Sequence, residues 1–286
     1  MNTKLVYTGV DYARYTATDH RPFENWNAML QSEYLAEDLA GKRIHNRWLL
    51  GYFGRVLEHA FLGKNESGCM VQLSGGYAWQ NWYEAGNYSE RCTRMDLQVT
   101  WPVEEPPGEY IREMYQLAVL HKTSNGRKPE PQITDTPRGA KMLTIGSRQS
   151  EVYGRMYDKG RESGEPSYAS CVRWEIEVKG EQAKDLNAHM REHKDEPFTT
   201  RAIVHQFWEA RGMKPFWDTY EGVEGTPPKK RTKTDETKLT WLATQVNSVV
   251  CALVERGKRE QVVRAIFKEA LTDEQIEGIL RMLAED

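Results

Sequence analysis

The sequence predicts an α+β fold in which helices cover a central antiparallel sheet, followed by a small helical module at the C-terminus. Two six-residue segments, 94–99 and 173–178, share the order arginine, apolar, carboxylate, apolar, polar, valine. Each is followed by a segment with the apolar spacing of a helix, at 109–121 and 181–193. The repeated strand and helix suggest a duplicated unit in which helices lie on one side of the sheet.

The repeated segments place charge on one face of each strand, because successive side chains of a strand point to opposite faces. Arg94 and Asp96 share a face of the first strand, and Arg173 and Glu175 share a face of the second. If the strands are close in one sheet, two carboxylates and two arginines form one surface. Carboxylates suit hard divalent metals and arginines suit phosphates, which indicates phosphodiester chemistry. Simple salt bridges between these strands are the alternative interpretation.

The remaining elements follow from periodicity and turn residues. We expect strands at 5–18, 69–73, 142–145 and 151–159, helices at 25–40, 78–88 and 199–212, and loops at 123–139 and 160–166, with 51–63 left unassigned. Residues 1–221 form the main domain in this interpretation, 222–236 a linker rich in proline and cations, and 237–286 the helical module.

Composition indicates a soluble protein with an uneven charge distribution. The formal net charge of the 286 residues is -3, yet residues 121–161 carry nine Lys or Arg against four Asp or Glu. Nucleic-acid binding needs a basic face and not a basic protein. No apolar run is long enough to span a membrane, and the four cysteines are widely separated. We therefore expect a cytoplasmic protein with reduced thiols and no membrane partner.

Residues 151–159 are the second informative segment. On a regular strand Tyr153, Arg155, Tyr157 and Lys159 share one face. A tyrosine between two cations has a field that stabilises phenolate and phosphate, which suits a nucleophile that attacks DNA phosphate. A strand face with two ordinary surface tyrosines is the alternative, and a turn or cap residue is the alternative for Asp11, which stands alone on the first strand.

Several motifs in order resemble the replication initiation factor family, which includes rolling-circle plasmid and phage initiators and conjugative relaxases. The resemblance is strongest at 143–150, 154–160 and 172–177, which read as a strand with Gly-Ser-Arg-x-Ser, then Arg-x-Tyr-Asp-Lys, then Arg-x-Glu. Residues 93–97 look like the family's upstream Arg-x-Asp strand. The fold implied is related to the His-apolar-His nickases, with carboxylates in place of the metal-binding histidines.

The resemblance also implies the roles of particular residues. It implies Tyr157 as the nucleophile that forms a 5′-phosphotyrosyl link and frees a 3′-OH. It implies Asp96 and Glu175 as ligands of a Mg or Mn ion, with Asp11 as a third. Arg155 and Lys159 are expected to hold the phosphate and favour the phenolate.

We expect further contacts with DNA from a small set of side chains on the same strands and turns. These are Arg94, Arg148, Arg173 and Tyr153. One departure from the family pattern concerns the metal: Thr100 and Trp101 stand where the Arg-x-Asp strand often ends with a further Asp.

The sequence thus predicts a metal-dependent tyrosine nickase and rejoining enzyme that starts rolling-circle replication of a plasmid or phage. A relaxase for conjugative mobilisation, with the same chemistry, and a non-catalytic DNA-binding regulator on the same fold are the alternatives. The expected partner is DNA, as an origin hairpin or a single-stranded nick site. A host helicase and a homodimer are further candidates.

Overall fold

A computed structural model describes residues 7–33, 45–57, 59–121, 131–193, 196–213, 247–267 and 271–282. Its strands are β1 Tyr7–Ala17, β2 His45–Leu49, β3 Tyr52–Leu57, β4 Ala60–Asn65, β5 Gly68–Ser74, β6 Arg91–Pro102, β7 Pro131–Asp135, β8 Lys141–Ile145, β9 Val152–Asp158 and β10 Cys171–Lys179. Its helices are α1 Arg21–Glu33, α2 Gly75–Asn87, α3 Pro107–Leu120, α4 Lys159–Ser163, α5 Gly180–Glu192, α6 Glu196–Glu209, α7 Asn247–Glu255, α8 Arg259–Phe267 and α9 Asp273–Met282, with a 3₁₀ turn at Pro166–Tyr168.

The described strands form one antiparallel sheet in the order β2-β3-β4-β5-β1-β6-β10-β9-β8-β7. Its apolar face packs against helices, and Leu97 of β6 and Ile176 of β10 are fully buried there. Trp174 and Trp208 meet edge to face in the same core at 5.4 Å between ring centroids. The predicted class, an antiparallel sheet covered by helices, is confirmed.

Three segments differ from the prediction. The unassigned segment 51–63 holds β3 and most of β4, while Pro131–Asp135 is a strand inside the predicted loop. Pro131 is the first residue of that strand, which is a position where proline is tolerated. Part of the predicted loop at 160–166 is helical, because the Asp158 carboxylate accepts a hydrogen bond from the Arg161 amide and caps α4.

The chain divides into two compact units, Met1–Lys230 and Arg231–Asp286. The predicted linker at 222–236 lies outside the described residues. In the second unit a capping box starts α9, since Thr272 and Gln275 exchange hydrogen bonds between side chain and backbone amide at 2.9 and 3.3 Å. Within the part of the chain that the structure describes, no helix is long and apolar enough to cross a membrane.

Gly154 on β9 fixes how closely the sheet and α6 pack. A Cβ added at Gly154 would lie 2.5 Å from the Phe207 ring and 3.1 Å from Trp208. We expect Gly154→Ala to lower the free energy of unfolding by about 1–3 kcal/mol, measured by urea denaturation, because these rings would have to shift. Gly76→Ala is the control, since nothing lies within 4 Å of a Cβ there. Equal midpoints for Gly154→Ala and wild type would contradict this packing.

Candidate active site

The two repeated segments are neighbours in the sheet. Strand β10 pairs antiparallel with β6, so that Glu175 lies opposite Gln98 and Glu177 lies opposite Asp96. Their charged faces point to the side away from the helix-covered core. The expectation that two carboxylates and two arginines share one surface is therefore confirmed, and the antiparallel register brings Gln98 into it.

Tyr157 joins this surface from the next strand. Strand β9 pairs with β10, which sets Tyr157 opposite Arg173. The phenol hydroxyl donates a hydrogen bond of 2.5 Å to Oε1 of Glu175, and both side chains are buried. Burial and then the Glu175 charge raise the pKa of Tyr157 well above its ordinary value, against the opposing effect of Arg173. The phenol is thus protonated at neutral pH, and its proton points at a carboxylate.

Arg155 connects Glu175 with Asp96. Its Nε donates to Oε2 of Glu175 at 2.5 Å, and its Nη2 lies 3.6 Å from Oδ2 of Asp96. Burial alone would lower the pKa of Arg155, but the two carboxylates outweigh it and raise that pKa. Arg155 therefore keeps its charge in the site, and the second oxygen of Glu175 has a fixed cationic partner.

Asp96 is held by arginines on both carboxylate oxygens. Arg94 donates to it from Nε at 2.8 Å and from Nη2 at 2.5 Å, and Arg94 also pairs with Glu177 at 2.7 Å. Burial raises the pKa of Asp96 to about 6, although Arg94 and Arg155 pull it down. Asp96 is thus held in salt bridges, as the alternative interpretation of the two repeated segments expects.

Asp11 lies at an irregularity of β1. Val10 faces the core opposite Leu97, so Asp11 alternates to the charged face, and the register shift between Val10 and Tyr12 sets Tyr12 on that face as well, opposite Asp96. Gln98 donates a hydrogen bond to it at 3.1 Å, and Arg173 lies 3.7 Å from the same oxygen. Burial and then the charge of Glu175 raise the pKa of Asp11. Two carboxylates that repel each other across a buried site are an arrangement that a cation stabilises.

Three of these side chains, Asp11, Glu175 and Gln98, could bind a divalent cation through two carboxylates and one amide oxygen. Among the described residues, no group of three or more His, Cys, Asp or Glu side chains could hold a metal ion. The Oε1 atom of Gln98 is buried and without a hydrogen-bond partner, next to Asp11 and opposite Glu175. Mg²⁺ binds through one or two carboxylates and completes its shell with water and substrate phosphate. Asp11, Glu175 and Gln98 therefore offer a suitable oxygen set.

The other predicted residues lie around this centre. Lys159, in the first turn of α4, pairs with Glu162 at 2.7 Å, and no contact with Tyr157 is seen. The buried Arg173 donates to Thr100 Oγ1 at 2.9 Å. Burial would lower the pKa of Arg173, but Tyr157, Asp11 and Glu175 outweigh it and raise that pKa.

Tyr153 and Arg148 form a separate pair near the same face. Tyr153 lies opposite Glu177 on β10 and is buried, and the Arg148 guanidinium lies 6.0 Å from the centre of its ring. Sequence reasoning did not assign roles to Gln98 or Thr100. Both lie on the charged face because side chains alternate along β6. Only the register with β10 shows which residues lie opposite them.

The fold and this site together define an antiparallel sheet that presents a tyrosine, acidic residues and arginines on one face. A family model described as replication initiation factor matches residues 118–266, more than half of the chain. The chain belongs to the replication initiation factor family. The matched range contains Tyr157, Arg155 and Glu175, whereas Asp11 and Asp96 precede it.

A solved structure gives an independent comparison of the fold. The chain is similar to the rolling circle replication initiator protein from Geobacillus stearothermophilus, with a TM-score of 0.51 and 17% sequence identity, over 82% of this chain and 95% of that one. No curated protein matches the chain.

Proposed function

We propose that this protein nicks and rejoins one DNA strand at a replication origin through a covalent bond between Tyr157 and the 5′-phosphate, and so initiates rolling-circle replication. The observation that carries the proposal is the hydrogen bond from the Tyr157 hydroxyl to Glu175, inside a set of arginines. In this proposal the phenol is the nucleophile, Glu175 the proton acceptor and the arginines the phosphate-binding cations of one buried site. Membership of the family supports the role in replication initiation.

Glu175 is the group that accepts the proton. The phenol oxygen attacks the phosphorus, and the bond between the phosphorus and the 3′ oxygen breaks. The phenolic proton passes to Glu175, and the departing 3′ oxygen takes a proton from water and ends as a hydroxyl. Because the phosphodiester energy is kept in the tyrosyl ester, the reverse attack by a 3′-OH rejoins the strand.

Arginines hold the phosphate during this exchange. Arg155 and Arg173 flank Glu175 on the same face, and guanidinium groups bind phosphate oxygens in a fixed two-pronged geometry. Asp96 keeps Arg94 and Arg155 in place through its two oxygens. Lys159, Arg148 and Tyr153 are proposed to contact the DNA on either side of the scissile phosphate.

Asp11, Glu175 and Gln98 would hold a Mg or Mn ion. Such a cation polarises the scissile phosphate and stabilises the charge that develops in the transition state. Both oxygens of Glu175 are held, by Tyr157 and Arg155, so one of these must release an oxygen before Glu175 binds the cation. Asp96, the other carboxylate expected to bind it, likewise reaches the cation only if Arg94 or Arg155 releases one of its oxygens.

Supercoiled plasmid that carries the cognate origin tests this function. With Mg or Mn we expect conversion to open circle and a protein–DNA adduct that survives denaturation. Chelation by EDTA should reduce the rate by at least about a hundredfold, because the charge on the phosphate loses its counter-cation. An origin that is bound but never nicked with either metal would instead indicate the non-catalytic regulator.

A further inference from the structure

The hairpin of β2 and β3 presents an apolar tip to solvent. Three of its side chains, Trp48, Leu50 and Phe53, are among the most exposed large apolar residues of the described chain, at 68%, 61% and 46%. Trp48 and Phe53 lie opposite each other in the register, with ring centroids 5.4 Å apart. Exposed apolar side chains grouped in this way mark a binding surface more often than isolated ones do.

The backbone of this hairpin is fixed by its turn. Leu50 and Gly51 both have positive φ, at 52° and 84°, which is the arrangement of a tight two-residue hairpin turn. A bulky leucine is unusual in that conformation, and here its side chain is exposed and not anchored in the core. Gly54 and Gly63 face each other across β3 and β4, where a Cβ on Gly54 would lie 2.0 Å from a backbone oxygen. The aromatic pair is therefore held on a closely packed ribbon.

Cations surround the aromatic pair. Lys64 lies opposite Phe53 in the register, and Arg55 and Arg47 project from the same ribbon, all three exposed. Residues 45–65 contain these three cations and a single acidic residue, Glu58, in a chain whose net charge is -3. We call Trp48, Phe53, Arg55 and Lys64 the hairpin patch.

We propose that the hairpin patch binds DNA that extends from the nick site, with bases stacked on Trp48 and Phe53 and phosphates held by Arg55 and Lys64. This inference rests on the proposed function for its partner. Aromatic faces next to cations are the usual platform for nucleic-acid strands, because every base has a face that stacks and every nucleotide has a phosphate.

The position of the patch in the sheet agrees with this partner. Seven strand intervals separate β2 from β9, the strand of Tyr157. At roughly 4.8 Å for each interval this is about 34 Å, close to one turn of duplex DNA. A single strand that leaves Tyr157 thus reaches the patch after about ten nucleotides at the duplex rise of roughly 3.4 Å, and after fewer when the strand is extended.

The direction in which the patch faces depends on sheet twist. The register continues the row of Trp48, Phe53 and Lys64 into Cys69 and Ala17, which belong to the helix-covered core. In a flat sheet the patch would face away from Tyr157. Neighbouring strands rotate on average by roughly 20–25°, and over seven intervals this average twist would turn the edge by about 150°, toward the side of the active site.

The test is DNA binding by the full chain in EDTA, where no nicking is needed. The probe is a fluorescently labelled oligothymidylate of about 30 nucleotides, because stacking tolerates any sequence. We expect the double variant Trp48→Ala, Phe53→Ala to bind at least about tenfold more weakly than wild type. Trp79→Ala, which removes an exposed tryptophan outside the patch, is the matched control and should bind as wild type does.

A second variant tests the cations separately. Arg55→Ala with Lys64→Ala should lower the slope of log affinity against log salt by about 1.4, for two lost contacts with single-stranded phosphate. Unchanged affinity of the aromatic variant would overturn the proposal. So would a change of sedimentation from dimer to monomer, which would assign the patch to a second copy of the chain. Loss of nicking with intact, patch-dependent binding would refute the proposed chemistry and leave the patch assignment standing.

Discussion

Replacing Tyr157 by Phe should abolish the covalent adduct and reduce origin nicking by at least about 10⁴-fold, because the reaction has no other nucleophile at this carboxylate. The substitution removes one oxygen and keeps the ring that packs in the sheet. It also removes a hydrogen bond to the buried Glu175, so we expect a loss of about 1–3 kcal/mol in the free energy of unfolding. Affinity for origin DNA should stay within a few-fold of wild type in a filter-binding or anisotropy assay.

Tyr153→Phe is the control for this variant. Tyr153 stands four positions away on the same face of β9 and is also buried. It lies opposite Glu177 and not beside Glu175. Its substitution should leave the adduct intact. If Tyr153→Phe removes the adduct and Tyr157→Phe does not, the nucleophile has been assigned to the wrong residue.

Replacing Glu175 by Gln should have the second largest effect. The amide keeps the shape of the side chain but no longer accepts the phenolic proton, and it weakens both the contact with Arg155 and the oxygen set for the cation. General-base catalysis of this kind contributes about 10²–10⁴-fold, and we expect a loss of that order in the single-turnover nicking rate. The KM for a short oligonucleotide substrate should change much less.

Glu177→Gln is the matched control for Glu175→Gln. Glu177 is two residues further along β10, on the same face and similarly buried, but it pairs with Arg94 and Lys179. Its substitution should reduce nicking by less than about tenfold. Equal losses for the two variants would mean that the charge of the face, and not proton transfer to one carboxylate, limits the reaction.

The faces of the sheet could be predicted from sequence because strand alternation is strict. The pattern of β6 and β10 assigns Asp96 and Glu175 to the polar face, and the structure agrees. The register between the strands could not be predicted, since it depends on pairing between residues far apart in the chain. That register brings Gln98 opposite Glu175 and Tyr157 opposite Arg173.

Local irregularities of the strands also could not be predicted from the spacing of residues in the sequence. The shift in β1 that sets Tyr12 beside Asp11 on the charged face leaves no signature in the spacing of apolar residues. A regular strand predicts that Lys159 shares a face with Tyr157, but β9 ends at Asp158, and Lys159 begins a helix where it pairs with Glu162. The cation whose charge lowers the pKa of the phenol is Arg173, from the neighbouring strand.

The most direct test of the central claim is to identify the residue that carries DNA. Wild-type protein is incubated with an origin oligonucleotide and Mg or Mn, and the adduct is digested with trypsin and nuclease before mass spectrometry. Cleavage after Arg148, Arg155 and Lys159 places Tyr153 and Tyr157 in different peptides, 149–155 and 156–159. If Tyr157 is the nucleophile, we expect nucleotide mass on the peptide 156–159. Nucleotide mass on 149–155, or nicked DNA with no modified peptide, would contradict it.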